Sequence, residues 1–310
     1  MTNLLGAISL SSASIAALLD KDRRQAMLEC LPEFPRQVLE FESDRIWLCG
    51  PSDKLVQVGQ VCLAAEGWLG PGNEGRRVHL EALEAARAGT EQALVLEGQY
   101  VAAYADANLG ALTLVRSPSG GERLYYTQLG DLVLFAASVK PLLACPLVSR
   151  NLNLSAVNEV LLTGLPNFGY GTLFDGVNEV LPGHAVTIRR TVGLQAWCID
   201  KALRSKEGPP ERLAREFREG LNQAVHNAIG LQRPVAVALS GGIDSSAIAA
   251  AAVEAVGSNG VHAFTWKFDD PRHPTETHYA EEVVRRLGIR HHHIFKVTLQ
   301  DFLRDIPEVI

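Results

Sequence analysis

The chain reads as two fold classes in series. An α+β domain of antiparallel β-sheet layers flanked by helices comes first, and an incomplete α/β domain with a parallel sheet and helices on its faces follows. Three observations predict this. Short apolar runs separated by turn residues occupy the first two hundred positions. An apolar strand, a glycine turn and an alanine-rich helix succeed one another from Val235. Beyond that helix, strand-like and helix-like patterns alternate nearly to the end of the chain.

In the first part, Tyr100 to Tyr104, Ala111 to Val115 and Leu132 to Ala136 are apolar runs of strand length. They are divided by Asp-Ala-Asn, Pro-Ser-Gly-Gly and Leu-Gly-Asp turns, the residues that reverse a chain most readily. A polar Gly/Pro stretch from Arg204 to Pro210 then reads as a linker, so the expected domains are 1–203 and 211–310, joined by 204–210. After the linker, Leu213, Phe217, Leu221, Val225 and Ala228 recur at helical spacing and predict an amphipathic helix with a buried apolar face. Its other face, with Arg212, Arg215, Glu216 and Glu219, reads as solvated.

Val235 to Leu239 is the first strand of the second part, and the helix after the loop is expected to start near Ser245. Val261 to Trp266 reads as a second, buried strand. Thr275 and Glu276 open an amphipathic helix through Tyr279, Val283, Val284 and Leu287, closed by Gly288. His292 to Val297 reads as the third strand.

The chemistry lies in the run Ser240-Gly241-Gly242-Ile243-Asp244-Ser245-Ser246. Strand, glycine turn and helix together aim backbone N–H groups and a helix N-terminus at an anion. Two glycines let the backbone approach a phosphate with no Cβ in the way. Ser245 and Ser246 offer hydroxyls and helix capping. Asp244 sets a carboxylate beside the phosphates, as a bridging divalent cation requires. The lysine of a Walker loop is absent, which excludes an ordinary nucleoside triphosphatase loop.

That loop, Leu239 to Ser246, resembles the pyrophosphate-binding loop of the asparagine synthetase superfamily, a group of ATP pyrophosphatases. Glu276, Tyr279-Ala280, Val284, Leu287-Gly288 and His292-His293 resemble the family's pattern on the C-terminal side of the loop. Earlier in the chain, Arg116 to Tyr126, Phe135 to Ala144 and Leu173 to His184 resemble segments of class II glutamine amidotransferase domains. The resemblance implies an amidotransferase-like first domain and an adenine-nucleotide alpha-hydrolase-like second one. It implies ATP and Mg²⁺ as cofactors, and activation of a carboxylate as an acyl-adenylate with release of pyrophosphate. It places Leu239, Ser240, Gly241, Gly242, Asp244, Ser245, Ser246 and Trp266 at the nucleotide, with Asp244 on the metal. For Leu239 and Trp266, core packing is an equally good reading of the pattern.

The same resemblance sets Thr2 in the place of the amidotransferase nucleophile, which is a cysteine in the family. The family's glutamine-site motif N-G-E-x-Y-N has no counterpart in the nearest stretch, Leu63 to Trp68, and Ser117 stands where an Asp is expected. A glutamine amide needs a strong nucleophile, an oxyanion hole and groups that grip its charged end. The expectation is a degenerate, structural glutaminase domain, with Arg116 and Arg123 anchoring its loop. An N-terminal threonine activated by its own amine is the other reading.

Without internal ammonia, a synthetase of this kind takes its amine from elsewhere. Family members with a degenerate first domain close rings, so the resemblance extends to β-lactam synthetase-like and lasso-peptide macrolactam synthetase-like enzymes. The expected activity is ATP-dependent amide-bond synthesis on a small-molecule or peptide carboxylate, with the amine on the same molecule held close to the activated acyl group. A glutamine-hydrolysing asparagine synthetase and a non-catalytic scaffold are the alternatives. The family's synthetase domain continues beyond Ile310, with a further S-G-x-G-x-D-E motif. The chain is therefore expected to be C-terminally truncated, or half of a split enzyme whose partner chain supplies the rest and covers an open sheet edge.

Composition adds limits. A net charge of −6 gives no support for nucleic-acid or anionic-membrane binding. No signal peptide or long apolar run is visible. Five cysteines without C-x-x-C spacing argue for reduced thiols in a cytoplasmic protein. His291, His292 and His293 alternate faces on a strand and read as structural rather than metal-binding. Lys267 and Arg272 read as solvated loop charges after the second strand.

Overall fold

The computed structural model describes residues 3–31, 38–69, 98–164, 169–190, 193–198, 207–230, 233–268, 277–298, 300–301 and 303–304. They form two compact units, one from the residues before 203 and the other from those after 204. Thr2, Arg272, Thr275 and Glu276 lie outside the described residues.

In the first unit the elements run β1 (Leu5–Ser9), α1 (Ile15–Leu18), α2 (Lys21–Leu28), β2 (Val38–Glu42), β3 (Ile46–Pro51), β4 (Leu55–Val58), β5 (Val61–Leu69), β6 (Gly98–Asp106), β7 (Ala111–Arg116), β8 (Tyr125–Leu129), β9 (Leu132–Ala136), α3 (Val139–Ala144), α4 (Leu154–Thr163), β10 (Val177–Glu179), β11 (His184–Arg189) and β12 (Gly193–Cys198). They build two six-stranded sheets, in the orders β10-β8-β9-β1-β3-β2 and β12-β11-β7-β6-β5-β4. Every pairing in both is antiparallel.

Alternation along the strands decides which face each residue joins. Leu4 and Ile8 of the first sheet meet Cys62, Ala64, Val101 and Leu114 of the second in a shared core. Leu5 and Ala7, on the opposite face of β1, pack instead with Ile15, Met27 and Leu142 of the helices. The unit is thus a helix layer on a two-sheet sandwich, the predicted α+β class. Cys49, Cys62 and Cys145 are buried in it. Burial pushes all three thiols up, Cys62 to about 12, because the thiolate is poorly solvated there.

The second unit contains α5 (Pro210–Ile229), β13 (Val235–Ala238), α6 (Ile243–Val256), β14 (Val261–Phe268), α7 (Thr277–Leu287) and β15 (His291–Val297). The three strands pair in parallel in the order β13-β14-β15. Val237, Leu239 and Ala263 on one sheet face are buried with Ala249 and Ala252 of α6 and Ala280 of α7. The alternate positions face away from those helices. Trp266, Phe268 and Phe295 remain 52%, 55% and 49% exposed. Among the described residues, helices cover one face of this sheet.

A correction concerns α5. Val225 and Ile229 join the core, and Asn222 Nδ2 donates to Glu254 Oε2 of α6 at 2.8 Å. Phe217, two turns earlier on the same stripe, is 73% exposed. Helical periodicity places these residues on one face, but only the last turns of the helix reach the core.

Candidate functional site

The loop Ser240–Ser246 leaves the carboxyl end of β13 and enters α6, the position at which open α/β sheets bind ligands. Leu239 sits directly beneath it, 1% exposed, with its side chain in the core. Its N–H donates to Phe264 O at 2.8 Å and its carbonyl accepts from Thr265 Oγ1 at 2.8 Å. Leu239 therefore positions the loop, and its side chain is closed to a ligand.

Gly241 has φ +85°, a region that side-chain-bearing residues rarely adopt. It is also where α7 meets the loop. A Cβ at Gly241 would come within 2.5 Å of Ala280 N and of Tyr279 Cβ. The first glycine is thus required twice, by backbone conformation and by close packing.

Helix α6 begins at Ile243 with Gly242 as its N-cap, two residues before the expected start. Neither Ser245 nor Ser246 caps it. Ser245 Oγ instead turns back into the loop, where it donates to Gly242 O at 3.2 Å and receives Ser240 N–H at 3.3 Å. Ser240 Oγ lies 3.0 Å from Ser245 Oγ and accepts Gly242 N–H at 3.3 Å. The two serines staple the loop to the first helical turn.

The N–H groups of that turn have no acceptor within the helix and face outward with the positive end of its dipole. Ser240, Gly242, Ile243 and Asp244 are all exposed, so among the described residues no side chain blocks the bend. Ser246 Oγ is buried without a hydrogen-bond partner. This lysine-free bend of open backbone donors, with a glycine that admits close approach and an unpartnered hydroxyl, fits a diphosphate. Asp244, exposed in the first turn, is the carboxylate available to a bridging cation. Among the described residues, no three His, Cys, Asp or Glu side chains converge to hold a metal by themselves.

Trp266 lies near the carboxyl end of β14 and is half exposed. β14 runs on to Phe268, so Lys267 is a strand residue paired across the sheet with Lys296, not a loop charge. His292 ties strands together: its Nε2 lies 2.8 Å from Thr265 Oγ1, the hydroxyl already donated to Leu239 O, so His292 is the donor. Burial lowers its pKa, Glu281 opposes this, and the neighbouring His293 lowers it further. On the opposite face, His262 stacks on His291 at 4.2 Å and on His293 at 5.4 Å.

In the first unit, β5 carries a buried carboxyl that the family motifs do not include. Glu66 is 9% exposed and accepts Asn3 N–H at 3.0 Å. Burial raises its pKa, opposed by that hydrogen bond and by Lys54, whose Nζ donates to Gly67 O at 2.7 Å. Glu66 continues the inward-facing series Cys62 and Ala64 on β5, the alternation that would have flagged it. Ser117 is fully buried and joins β6 to the following loop, accepting Tyr100 N–H at Oγ at 3.1 Å. Arg116 anchors the same loop, donating to Glu179 at 2.6 Å, Val180 O at 2.8 Å and Gly120 O at 2.7 Å. Arg123 contacts Tyr125 Oη at 3.3 Å and is otherwise exposed.

Residues 78–197 match the family model described as glutamine amidotransferase domain, and residues 216–310 match the one described as asparagine synthase. The chain is 28% identical over 180 residues to asparagine synthetase [glutamine-hydrolyzing] 3 of Bacillus subtilis (strain 168), covering 56% of this chain and 29% of that protein. It is 27% identical over 210 residues to asparagine synthetase [glutamine-hydrolyzing] 2 of the same organism, covering 64% of this chain and 28% of that protein. It is also 28% identical over 215 residues to amidase chyE of Penicillium rubens, covering 64% of this chain and 31% of that protein. The chain thus spans about three-tenths of the length of these curated relatives.

Proposed function

The chain belongs to the ATP-dependent asparagine synthase family, joining a glutamine amidotransferase domain to part of an asparagine synthase domain, and from that premise we propose that its second unit binds ATP and Mg²⁺ for amide-bond synthesis. ATP bound there supplies activation of a substrate carboxylate, with pyrophosphate as the leaving group. The chain's own residues hold it. The backbone N–H groups of Gly241 and of the first turn of α6 would take the diphosphate. Asp244 holds the cation together with phosphate oxygens, and Trp266 offers an exposed ring for the base to stack on. The observation that carries this reading is the open, positive-φ bend at Gly241, pinned by Ser240 and Ser245 and unobstructed above.

The amine comes from the substrate itself, so the product is a lactam or macrolactam from a small-molecule or peptide carboxylate. Support comes from the first unit. Ser117, in the place of the family's Asp, is fully buried and engaged by the backbone. A partner segment that covers the exposed Phe268 and Phe295 completes the unit. The test is thermal unfolding with ATP and Mg²⁺ together with an ammonia-release assay on glutamine. The proposal expects ligand-dependent stabilisation, about 2.7 kcal/mol at a hundredfold excess over Kd, lost in Asp244→Ala, and no ammonia. Absence of stabilisation by ATP refutes the nucleotide site, and ammonia release that depends on Thr2 refutes the cyclase reading.

A further inference from the structure

The first unit contains a cavity of about 480 Å³ that the nucleotide chemistry does not use. This lies within the size range of small-molecule sites. Val139, Phe174, Leu181 and Pro182 give it apolar walls, and Arg116, Arg123, Tyr125 and Glu179 contribute its polar groups. We propose that this cavity binds a short apolar monocarboxylate, with the carboxylate against the Arg123–Arg116 side and the hydrocarbon against the apolar walls.

Two observations carry this. Arg116 is 4% exposed and is tied into the cavity wall by Glu179, Val180 O and Gly120 O, so its positive end is fixed in place beside the cavity. Arg123 is held from one side by Tyr125 and keeps the rest of its fork open. A planar fork with parallel donors suits a carboxylate. The charges also balance for one anion. Glu179 neutralises Arg116 at 2.6 Å, which leaves Arg123 as the unmatched charge among the lining residues. Because Glu179 is already bound, no acidic side chain in the lining is open to an ammonium group, so the site selects simple carboxylates over zwitterionic amino acids.

Calorimetric titration of the whole chain with hexanoate tests this, with 1-hexanol, hexylammonium and inorganic phosphate as comparators. The expected result is saturable hexanoate binding at least about tenfold tighter than any comparator, since both the charge and the tail contribute. Arg123→Gln, at an exposed position that leaves the fold intact, weakens hexanoate about tenfold, and Arg123→Lys weakens it less. Lys267→Gln in the second unit changes nothing. Hexanol or phosphate binding as tightly as hexanoate, full hexanoate affinity in Arg123→Gln, or no hexanoate binding at tens of millimolar each overturns the proposal.

Discussion

The two β regions of this molecule differ in how completely each buries its own aromatic side chains. In the sandwich, Trp47 and Phe135 are fully buried, Trp47 between sheet and helices and Phe135 between the two sheets. In the parallel sheet, Trp266, Phe268 and Phe295 are about half exposed. Residues of one chemical type are thus core in the first unit and surface in the second. An exposed apolar face of this kind marks a surface that receives something. The first unit buries its aromatic rings between layers, whereas the second presents an open glycine bend at its strand ends and exposed aromatic rings on one sheet face.

The largest expected effect comes from that contrast. Phe135→Ala opens a cavity between packed layers and destabilises the first unit by about 3–5 kcal/mol in urea unfolding. Phe295→Ala, on the exposed face, costs less than about 1 kcal/mol. Similar values for the two would break the comparison. Next comes Gly241→Ala, where positive φ and contact with Ala280 N together cost about 2 kcal/mol in the second unit. It also removes ATP-dependent stabilisation, while the Phe135→Ala protein keeps it.

Smaller still is Thr265→Val. It leaves Leu239 O and His292 Nε2 without their shared partner and loosens the strand ends beneath the loop by about 1–2 kcal/mol. The smallest effect is at Glu66. Its folded pKa is raised by burial, so the folded state holds the proton more tightly than the unfolded chain. The contribution of this carboxyl to stability is therefore complete at acidic pH and is lost as pH rises through the raised value. Glu66→Gln removes the ionisation and stabilises the first unit by about 1 kcal/mol near neutral pH. That gain closes as the solution is acidified, which chemical unfolding across pH reads directly.

Much of this architecture was legible in the amino-acid pattern. The runs 100–104, 111–115 and 132–136 became β6, β7 and β9, because alternation and turn chemistry act locally. The loop Ser240–Ser246 emerged where strand, glycines and helix predicted it. The start of α6 was misread because serine is a common N-cap, while here Gly242 takes that place and Ser245 pairs with Ser240 five residues away. Such a pairing depends on the loop's three-dimensional course, not on local propensity. Phe217 teaches the same point for packing: its spacing fixes a face, but what covers that face is a tertiary matter. Glu66 was the avoidable omission, since a charged residue in an inward-facing strand position is visible as a break in alternation.

The central claim is that backbone donors of a lysine-free bend grip a diphosphate. Its most direct test is an amide-resolved NMR titration of the whole chain with inorganic pyrophosphate and Mg²⁺. The account predicts that the N–H signals of Gly241, Gly242, Ile243, Asp244 and Ser245 shift and saturate together, and that they do not move in Gly241→Ala. Unmoved signals in that stretch, or shifts confined to other parts of the chain, would contradict it.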